Sequence, residues 1–261
     1  MSLTGKSPAE TYKDIAYVDN SNNGVTTSLK QIKTGNGSST AMQVSDRSLL
    51  VKSATNNTTA LDIQNSSGTT KLLVDTTNSY VKANGVHVNT MYKDFGVFDY
   101  SPTQGNHQPM IASNSMFADS GTDWSTSSLG GTGADPATTF DVSAHASHSL
   151  VLVPCYWYVI DDISIDTIRV IARCDSSENL NFHVYSYDLD TSTNYGDLSS
   201  GTLIAHIGSV MAATNTTIKT DTLTIDSASV SSGKVVMAFV ENEDGTGDIT
   251  AQLNIKYHIT G

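Results

Sequence analysis

Apolar and polar residues alternate most regularly near the end of the chain. From Ile249 to Ile259 every odd-numbered residue is Ile, Ala, Leu or Tyr, and every residue between them is polar. A period of two predicts a half-buried antiparallel strand. Further strand-like stretches lie at 150–159, 168–172, 182–186, 203–210, 216–225 and 234–240. Turn residues separate these stretches, so the pattern predicts an antiparallel, jelly-roll-like β-sandwich over residues 149–261.

The first third of the chain has the same strand spacing with far fewer apolar residues. Residues 20–94 contain only 19 large apolar side chains, grouped in short clusters between Asn/Ser/Gly turns. Burying so few side chains cannot offset the conformational entropy lost on ordering this stretch. We therefore expect residues 1–94 to form an intertwined β segment whose apolar stripes pack between copies around a threefold axis. A disordered arm is the alternative, because Asn, Ser and Thr also suit disorder.

One helix and one connector complete the predicted organisation. Ser7 can cap a helix, Pro8 suits its first position and Glu10 can close a capping box, so a short helix should run to about Ile15. Residues 95–148 contain three prolines and a Ser/Thr/Gly run, which predicts a loop-rich connector. Its scattered aromatic residues should anchor it to the C-terminal domain. The expected fold class is all-β with this one helix.

Composition and charge exclude several classes of protein. Ser, Thr and Asn together make up 85 of 261 residues and charged residues only 15%, which argues against coiled coils, and the sequence is neither collagen-like nor basic. Residues 1–94 carry nine Lys/Arg against seven Asp/Glu, whereas residues 95–261 carry five against nineteen. The acidic C-terminal part would repel phosphate backbones, so we expect no nucleic-acid ligand. The near-neutral N-terminal part is the better candidate for docking.

The sequence also predicts neither membrane insertion nor a disulfide framework. The most apolar stretch, residues 150–160, is too short for a span of about 20 residues and contains Pro154. The N-terminus lacks the apolar segment of a secretory signal. Cys155 and Cys174 could pair across neighbouring strands, but buried thiols are the favoured state.

Catalytic and metal motifs are weak throughout the sequence. Asp188–Asn194 resembles a calcium loop, but position 6 is Thr193 instead of Gly and position 12 is Ser199 instead of Glu. An Asp/Asn turn explains it better. His145 and His148 have no third ligand in view, and no nucleophile, phosphate-binding or dinucleotide motif occurs. We therefore predict no metal, no cofactor and no enzymatic activity.

An aromatic triplet is the main candidate contact site. Alternation places Trp157 on one face of a strand and Tyr156 and Tyr158 on the other. One face should belong to the core, while the other could stack on a sugar ring or cover a neighbouring protomer. The sequence leaves both alternatives open.

Three stretches resemble virion proteins of tailed bacteriophages, especially aquatic ones. Residues 5–25 (GKSPAETYKDIAYVDNSNNGV) are similar to the start of such proteins, and residues 61–85 (LDIQNSSGTTKLLVDTTNSYVKANG) resemble the shaft segments of phage fibres. The phrases YVIDDISIDTIRVIA and SYDLDTSTNYGDLSSGTLIA resemble their β-rich tips. The resemblance implies a homotrimeric virion protein, assembled in the host cytoplasm, with its N-terminal part bound to the particle. Expected particle-anchoring residues are Lys6, Pro8, Tyr12, Lys13 and Tyr17.

Three functions are compatible with these observations. A capsid decoration (cement) or head-fibre protein would bind the major capsid protein through its N-terminal part. A short tail fibre would instead attach to tail or baseplate proteins and recognise a host surface glycan. A polysaccharide-degrading enzyme is the third, disfavoured by the absence of a catalytic motif. The modest length of 261 residues favours the first hypothesis.

Overall fold

The computed structural model describes residues 16–21, 23–100, 104–112, 135–140, 152–192, 196–245 and 247–260. The chain divides into two compact units, Met1–Val88 and Asn89–Gly261. The described residues are mostly strand, with one short 3-10 turn at Val153–Cys155. The prediction of an all-β fold is therefore confirmed. The helix expected near Ser7 lies outside the described residues, and no described helix is long and apolar enough to cross a membrane.

The first unit contains two four-stranded antiparallel sheets, each with its strands in sequence order. The first sheet consists of β1 (Ala16–Val18), β2 (Lys30–Thr34), β3 (Ser39–Val44) and β4 (Leu49–Val51). The second consists of β5 (Leu61–Gln64), β6 (Thr70–Asp75), β7 (Tyr80–Ala83) and β8 (Val86–His87). Short local turns join β2 to β3, β3 to β4 and the four strands of the second sheet, which explains why the sequence shows brief apolar clusters separated by turn residues.

Side-chain caps fix the turns of the second sheet. Between β5 and β6, Asn65 Oδ1 accepts hydrogen bonds from the backbone N–H of Ser67 at 3.2 Å and of Thr69 at 2.8 Å. Gly68 takes the left-handed conformation, with φ of +80°, that this turn requires. Between β6 and β7, Asp75 Oδ1 accepts from Thr77 and Asn78 N–H, both at 2.9 Å. The hairpins are thus encoded locally.

The second unit is a β-sandwich of two antiparallel sheets. One has the order β16-β12-β20-β9, with β18 beside β12; the other has the order β10-β19-β13-β14-β17, with β11 beside β19 and β15 beside β13. The strands of the first sheet are β9 (Thr90–Tyr100), β12 (Ile163–Cys174), β16 (Lys219–Thr222), β18 (Ser229–Val230) and β20 (Ile249–Ile259). Those of the second are β10 (Gln108–Pro109), β11 (Trp157–Tyr158), β13 (Glu178–Asp190), β14 (Asp197–His206), β15 (Met211–Ala213), β17 (Thr224–Ile225) and β19 (Lys234–Asn242).

The chain crosses repeatedly between these two sheets, and the predicted antiparallel β-sandwich is confirmed. Alternate residues of β12 and β20, such as Ile168 and Leu253, meet alternate residues of β13 and β19, such as Phe182 and Ala238, in one core. β20 buries its odd-numbered residues from Ile249 to Tyr257, as its period of two predicted. The sandwich core lies wholly within the second unit.

A second apolar layer covers the outer face of the sheet that contains β13 and β19. Tyr185, Tyr187, Met237 and Phe239 pack there against residues outside the strands. Those residues include Phe140, from the predicted connector. The sheet therefore carries apolar side chains on both faces, which explains the unbroken burial of most of β19.

The unit boundary lies between Val88 and Asn89, so β9 belongs entirely to the second unit. Sequence analysis had divided this strand between the N-terminal segment and the connector. Phe95, assigned there to a loop, is a core residue opposite Leu253. The cysteines lie in different layers, Cys174 in the sandwich core and Cys155 in the outer layer, and both are buried thiols as expected.

Candidate functional site

The second sheet of the first unit has one predominantly apolar face. Residues directly opposite each other in an antiparallel pair project on the same side of the sheet. The register places Leu61 opposite Val74, Ile63 opposite Leu72 and Val81 opposite Val74. The face, here called the β5–β8 apolar face, consists of the polar Thr70 at the start of β6 and of Leu61, Ile63, Leu72, Val74, Val81, Ala83 and Val86.

The opposite face of this sheet is mostly polar. It carries Asp62 beside Leu73, and Lys82 beside His87. Lys82 Nζ lies 4.4 Å from the centre of the Tyr80 ring. Burial would raise the pKa of Asp75, but hydrogen bonds from Asn78 and its neighbours lower it below its usual value. A sheet with this contrast between faces is built to be covered on one side.

The described part of the first unit contains no buried apolar side chain in a single chain. Its one buried residue is Asp75. Ile63 on the β5–β8 apolar face is 49% exposed, and Leu49 in the first sheet is 67% exposed. Met42 and Val51, opposite each other in β3 and β4, are exposed as well. The sequence-based inference that this segment lacks its own core therefore holds for a single copy.

The two sheets leave space within the first unit. A cavity of about 360 Å³ is lined by Val51 of the first sheet and by Leu61 and Val74 of the β5–β8 apolar face. Lys52, Asn56 and Thr76 contribute polar groups to its wall. The β5–β8 apolar face is thus incompletely covered by the described residues of the first unit.

The predicted particle-anchoring residues are only partly described. Tyr17 lies in β1 opposite Lys33 and is 42% exposed. Lys33 Nζ is 2.7 Å from Asp19 Oδ2, and hydrogen bonding to this carboxylate raises the pKa of Lys33. Lys6, Pro8, Tyr12 and Lys13 lie outside the described residues.

The aromatic triplet occupies three different environments. Trp157 packs against the sandwich core with its ring centre 4.8 Å from that of Tyr257, whereas burial raises the pKa of Tyr156, which packs against the outer layer. Tyr158 is 54% exposed. Trp157 and Tyr158 line a cavity of about 150 Å³, here called the Trp157 cavity, together with Met91, Val159, Ile160, Asp161, Ile163, Tyr257 and Ile259.

In the calcium-like loop, the carboxylates of Asp188 and Asp190 accept hydrogen bonds from other groups of the chain. Asp188 Oδ1 accepts a hydrogen bond from Lys234 Nζ at 2.6 Å, which lowers the pKa of Asp188. Asp190 Oδ1 accepts from the N–H of Ser192 at 2.8 Å, as an Asp turn does. The bonds at Asp188 and Asp190 support the turn interpretation of this loop, whose residues 193 and 194 lie outside the described ranges.

A buried cluster of polar residues was not predicted from the sequence. On the outer face of the second sandwich sheet, His107 Nε2 lies 3.4 Å from Glu241 Oε2, and the rings of His107 and His183 are 4.9 Å apart. His183 Nε2 lies 3.4 Å from Asp135 Oδ1. Burial, followed by the neighbouring charge of His107, lowers the pKa of His183 to about 4, and burial raises that of Glu241.

The alternation of residues along β13 contained one indication of this cluster. His183 and Tyr185 occupy the same alternating phase of β13, which a sandwich with one solvated face would expose. They are buried because additional chain covers this face, and an alternation pattern does not reveal such a cover.

Comparisons with known proteins leave the chain unassigned. No family model matches the sequence, and no curated protein matches it. Among solved structures, one similar chain comes from the structure of infectious bursal disease virus Gx strain, with 12% identity over 41% of this chain. The similarity spans 25% of that viral chain at a TM-score of 0.25. A similarity this low supports no conclusion about fold or function.

Proposed function

We propose that this protein is a homotrimeric structural protein of a tailed-phage virion, of the capsid decoration or head-fibre type. The observation that carries the proposal is the β5–β8 apolar face, which is predominantly apolar and has exposed apolar residues such as Leu61 and Ile63. A domain needs a hydrophobic core, and the described residues of the first unit bury no apolar side chain, so they need further polypeptide to complete one. The geometry therefore favours a protein that works as an assembly.

Copies of the same chain are the natural cover for this face. If the covering partner were a particle protein, the first unit would lack a core until it reached the particle. Sister chains, in contrast, are present from synthesis onward. Closed rotational symmetry lets each copy supply the same stripe to a shared interior. Three copies of a four-stranded amphipathic sheet enclose such an interior, in agreement with the trimer that the phage resemblance implies.

The charge distribution supports an N-terminal attachment to the particle. Residues 1–94 are near neutral, with nine basic and seven acidic residues, whereas residues 95–261 carry five basic and nineteen acidic residues. The acidic part would keep neighbouring sandwiches apart and soluble. Binding to a site present only in the assembled shell would stabilise the shell by RT ln(1 + [L]/Kd) per site, without any catalytic step.

A short tail fibre with a host-glycan site is the second candidate. The exposed ring of Tyr158 beside Trp157 favours it, because aromatic faces stack on sugars. A polysaccharide-degrading enzyme is a weaker third possibility. The number of copies of this protein per virion distinguishes capsid decoration from a tail fibre. Hundreds of copies indicate decoration, and a few to a few dozen indicate a tail appendage.

The experiment is labelling of intact virions with an antibody against residues 149–261, followed by electron microscopy and counting. Labels over the whole head would support the proposal, and labels confined to the tail would replace it with the tail-fibre function. Sedimentation equilibrium of the purified chain is the companion measurement, with a trimer expected. A well-folded monomer at all concentrations would refute the assembly role.

A further inference from the structure

The sandwich sheet that contains β12 and β20 presents an ordered set of polar residues to solvent, here called the β9–β20–β12 polar face. Ile168, Leu253 and Phe95 belong to the core, so the residues of the opposite phase in β12, β20 and β9 project outward. The register aligns the outward residues in three rows across the strands: Thr167, Lys256 and Tyr92; Arg169, Asn254 and Asp94; Ile171, Gln252 and Gly96.

Basic residues are concentrated in this sheet. Its strands contain five Lys or Arg and four Asp or Glu, whereas the strands of the other sandwich sheet contain one and five. Packed sheets are about 10 Å apart and their exposed charges point away from each other, so the two sets of charges are separated by more than the Debye length of about 10 Å at 0.1 M salt. The β9–β20–β12 polar face can therefore attract an anionic group although the second unit as a whole is acidic.

The two cations of the rows, Arg169 and Lys256, are not neutralised by the described part of the chain. Lys33 and Lys234 lie 2.7 and 2.6 Å from aspartate oxygens. Among the described residues, no carboxylate lies within ion-pair distance of Arg169 or Lys256. In a chain with a net charge of −12, such cations on one face indicate an anionic partner from outside the chain.

The carboxylates beside these cations contact other side chains. Asp94, the acid of the three rows, accepts a hydrogen bond from the amide of Asn254. Asp166 Oδ1, next to the first row, lies 2.9 Å from His258 Nδ1. These contacts hold both carboxylates in place within the sheet, and Arg169 keeps its guanidinium donors for another acceptor.

The remaining groups of the face suit a sugar. The ring of Tyr92 is 69% exposed and lies beside Lys256 in the same row, and aromatic rings stack on the apolar faces of sugars. Gln252 adds an amide that can both donate and accept hydrogen bonds. Gly96 has no side chain, so a ligand can approach the backbone closely there. Three rows span about 14 Å along the strands, which accommodates a short oligosaccharide.

An acidic sugar fits this set of residues better than a nucleic acid or a protein. A nucleic-acid site presents a longer stripe of basic residues, because it must follow a chain of closely spaced phosphates. A protein interface has an apolar centre, whereas Ile171 is the only aliphatic side chain in the three rows. A carboxylate, in contrast, accepts two parallel hydrogen bonds from one guanidinium such as that of Arg169.

We propose that the β9–β20–β12 polar face binds a carboxylated oligosaccharide, with Arg169 and Lys256 on its carboxylates and Tyr92 on a sugar ring. The inference goes beyond the proposed function and does not rest on it, because the face lies wholly within the second unit and requires neither assembly nor a particle. The site is also separate from the exposed ring of Tyr158, which lies in the other sheet.

The test is isothermal titration calorimetry of the full-length chain with trisaccharides of galacturonic, mannuronic and sialic acid. The methyl ester of each trisaccharide is the uncharged control. At least one acid should bind with a Kd below about 1 mM, and its ester about tenfold more weakly. Failure of all three acids to bind would refute the inference and leave the proposed assembly intact. Tighter binding of a polyglutamate peptide or of single-stranded DNA would reassign the face to a protein or a nucleic acid.

Substitutions distinguish a sugar site from general attraction of charge. Arg169→Gln should weaken binding of the best acid about tenfold. Arg47→Gln removes the same charge from an exposed arginine of the first unit and should leave binding unchanged. Tyr92→Ala should weaken binding about fivefold without altering its dependence on salt, because it removes a stacking contact and no charge. Equal effects of the two arginine substitutions, or full binding by Tyr92→Ala, would overturn the inference.

Discussion

Ile63 lies directly opposite Leu72 in the ladder between β5 and β6, yet it remains 49% exposed. Cross-strand apolar pairs stabilise a sheet when a second layer covers them. Among the described residues of the first unit, this pair belongs to a face without a complete second layer. The pair is therefore where the assembly hypothesis is most directly tested.

We expect Ile63→Asp to dissociate the full-length assembly. A carboxylate on the β5–β8 apolar face would be desolvated in the assembled interior, which should weaken association by at least 100-fold, or about 3 kcal/mol. Sedimentation equilibrium measures the change. Lys71→Asp is the matched control, because Lys71 is exposed and lies in β6 between residues that face the other way. If both variants weaken association equally, this face is not the contact.

We expect residues 89–261 to fold without the first unit. The sandwich core and the outer apolar layer both lie within these residues. The truncated chain should be a soluble monomer with one cooperative thermal transition, measured by circular dichroism and sedimentation. If it is unfolded, or if it still binds particles as the full chain does, then the assignment of attachment to the N-terminal part is wrong.

Gly201→Ala should weaken the packing of the segment that contains Thr138 against the outer face of the sheet that contains β13 and β19. A Cβ at Gly201 would lie 2.7 Å from Thr138 Cα and 2.8 Å from Tyr187 Cε1, so the backbone of Thr138 must move. The hydrogen bond from Gly201 N–H to Thr138 O, at 2.8 Å, would be strained as well. We expect a loss of about 1–3 kcal/mol in the free energy of unfolding, measured in urea.

Gly208→Ala provides the control for this substitution. A Cβ there would meet only Thr224 Oγ1 at 3.5 Å, an ordinary contact. Its effect should be well below that of Gly201→Ala. If both substitutions cost the same, the close approach at Gly201 does not determine the stability of the cover.

Stability should fall on acidification because of His183. Its pKa in the folded chain is about 4, below the usual 6.5, so the unfolded chain takes up the proton first. Stability from this residue is present above pH 6.5 and decreases between pH 6.5 and 4, by about 3 kcal/mol. His183→Gln should flatten the pH dependence of the melting temperature over this window.

Glu241 should change the pH dependence of stability in the opposite direction to His183. Its pKa is raised by burial, so the folded chain binds that proton first and protonation favours the fold. Glu241→Gln should therefore steepen the acid loss that His183 produces. A pH dependence that stays unchanged in His183→Gln would show that His183 is not the titrating group.

The sequence predicted the elements whose patterning is local. Alternation defined β20, and turn residues separated the short strands of the first unit, because period and turn chemistry depend on neighbouring residues. The absence of buried apolar side chains from the described part of the first unit was also predictable, since it follows from the small number of apolar side chains. These features determine the fold class and are the basis of the proposed assembly.

Features that depend on distant parts of the chain were not predictable. Phe95 was assigned to a loop because Gly96 and nearby polar residues obscure the alternation, whereas its strand is defined by pairing with β20. The cluster around His107 and Glu241 requires knowing that the outer face of β13 and β19 is covered. The separation of Tyr156 from Trp157 depends on the same cover.

The side-chain caps at Asn65 and Asp75 also affect how the chain avoids misassembly. They hold each hairpin in register through bonds that span only a few residues, before any sister chain is met. Nascent chains can thus encounter one another with strands already matched to their own neighbours. Fewer open strand edges are then free to recruit a foreign chain into an amyloid-like stack.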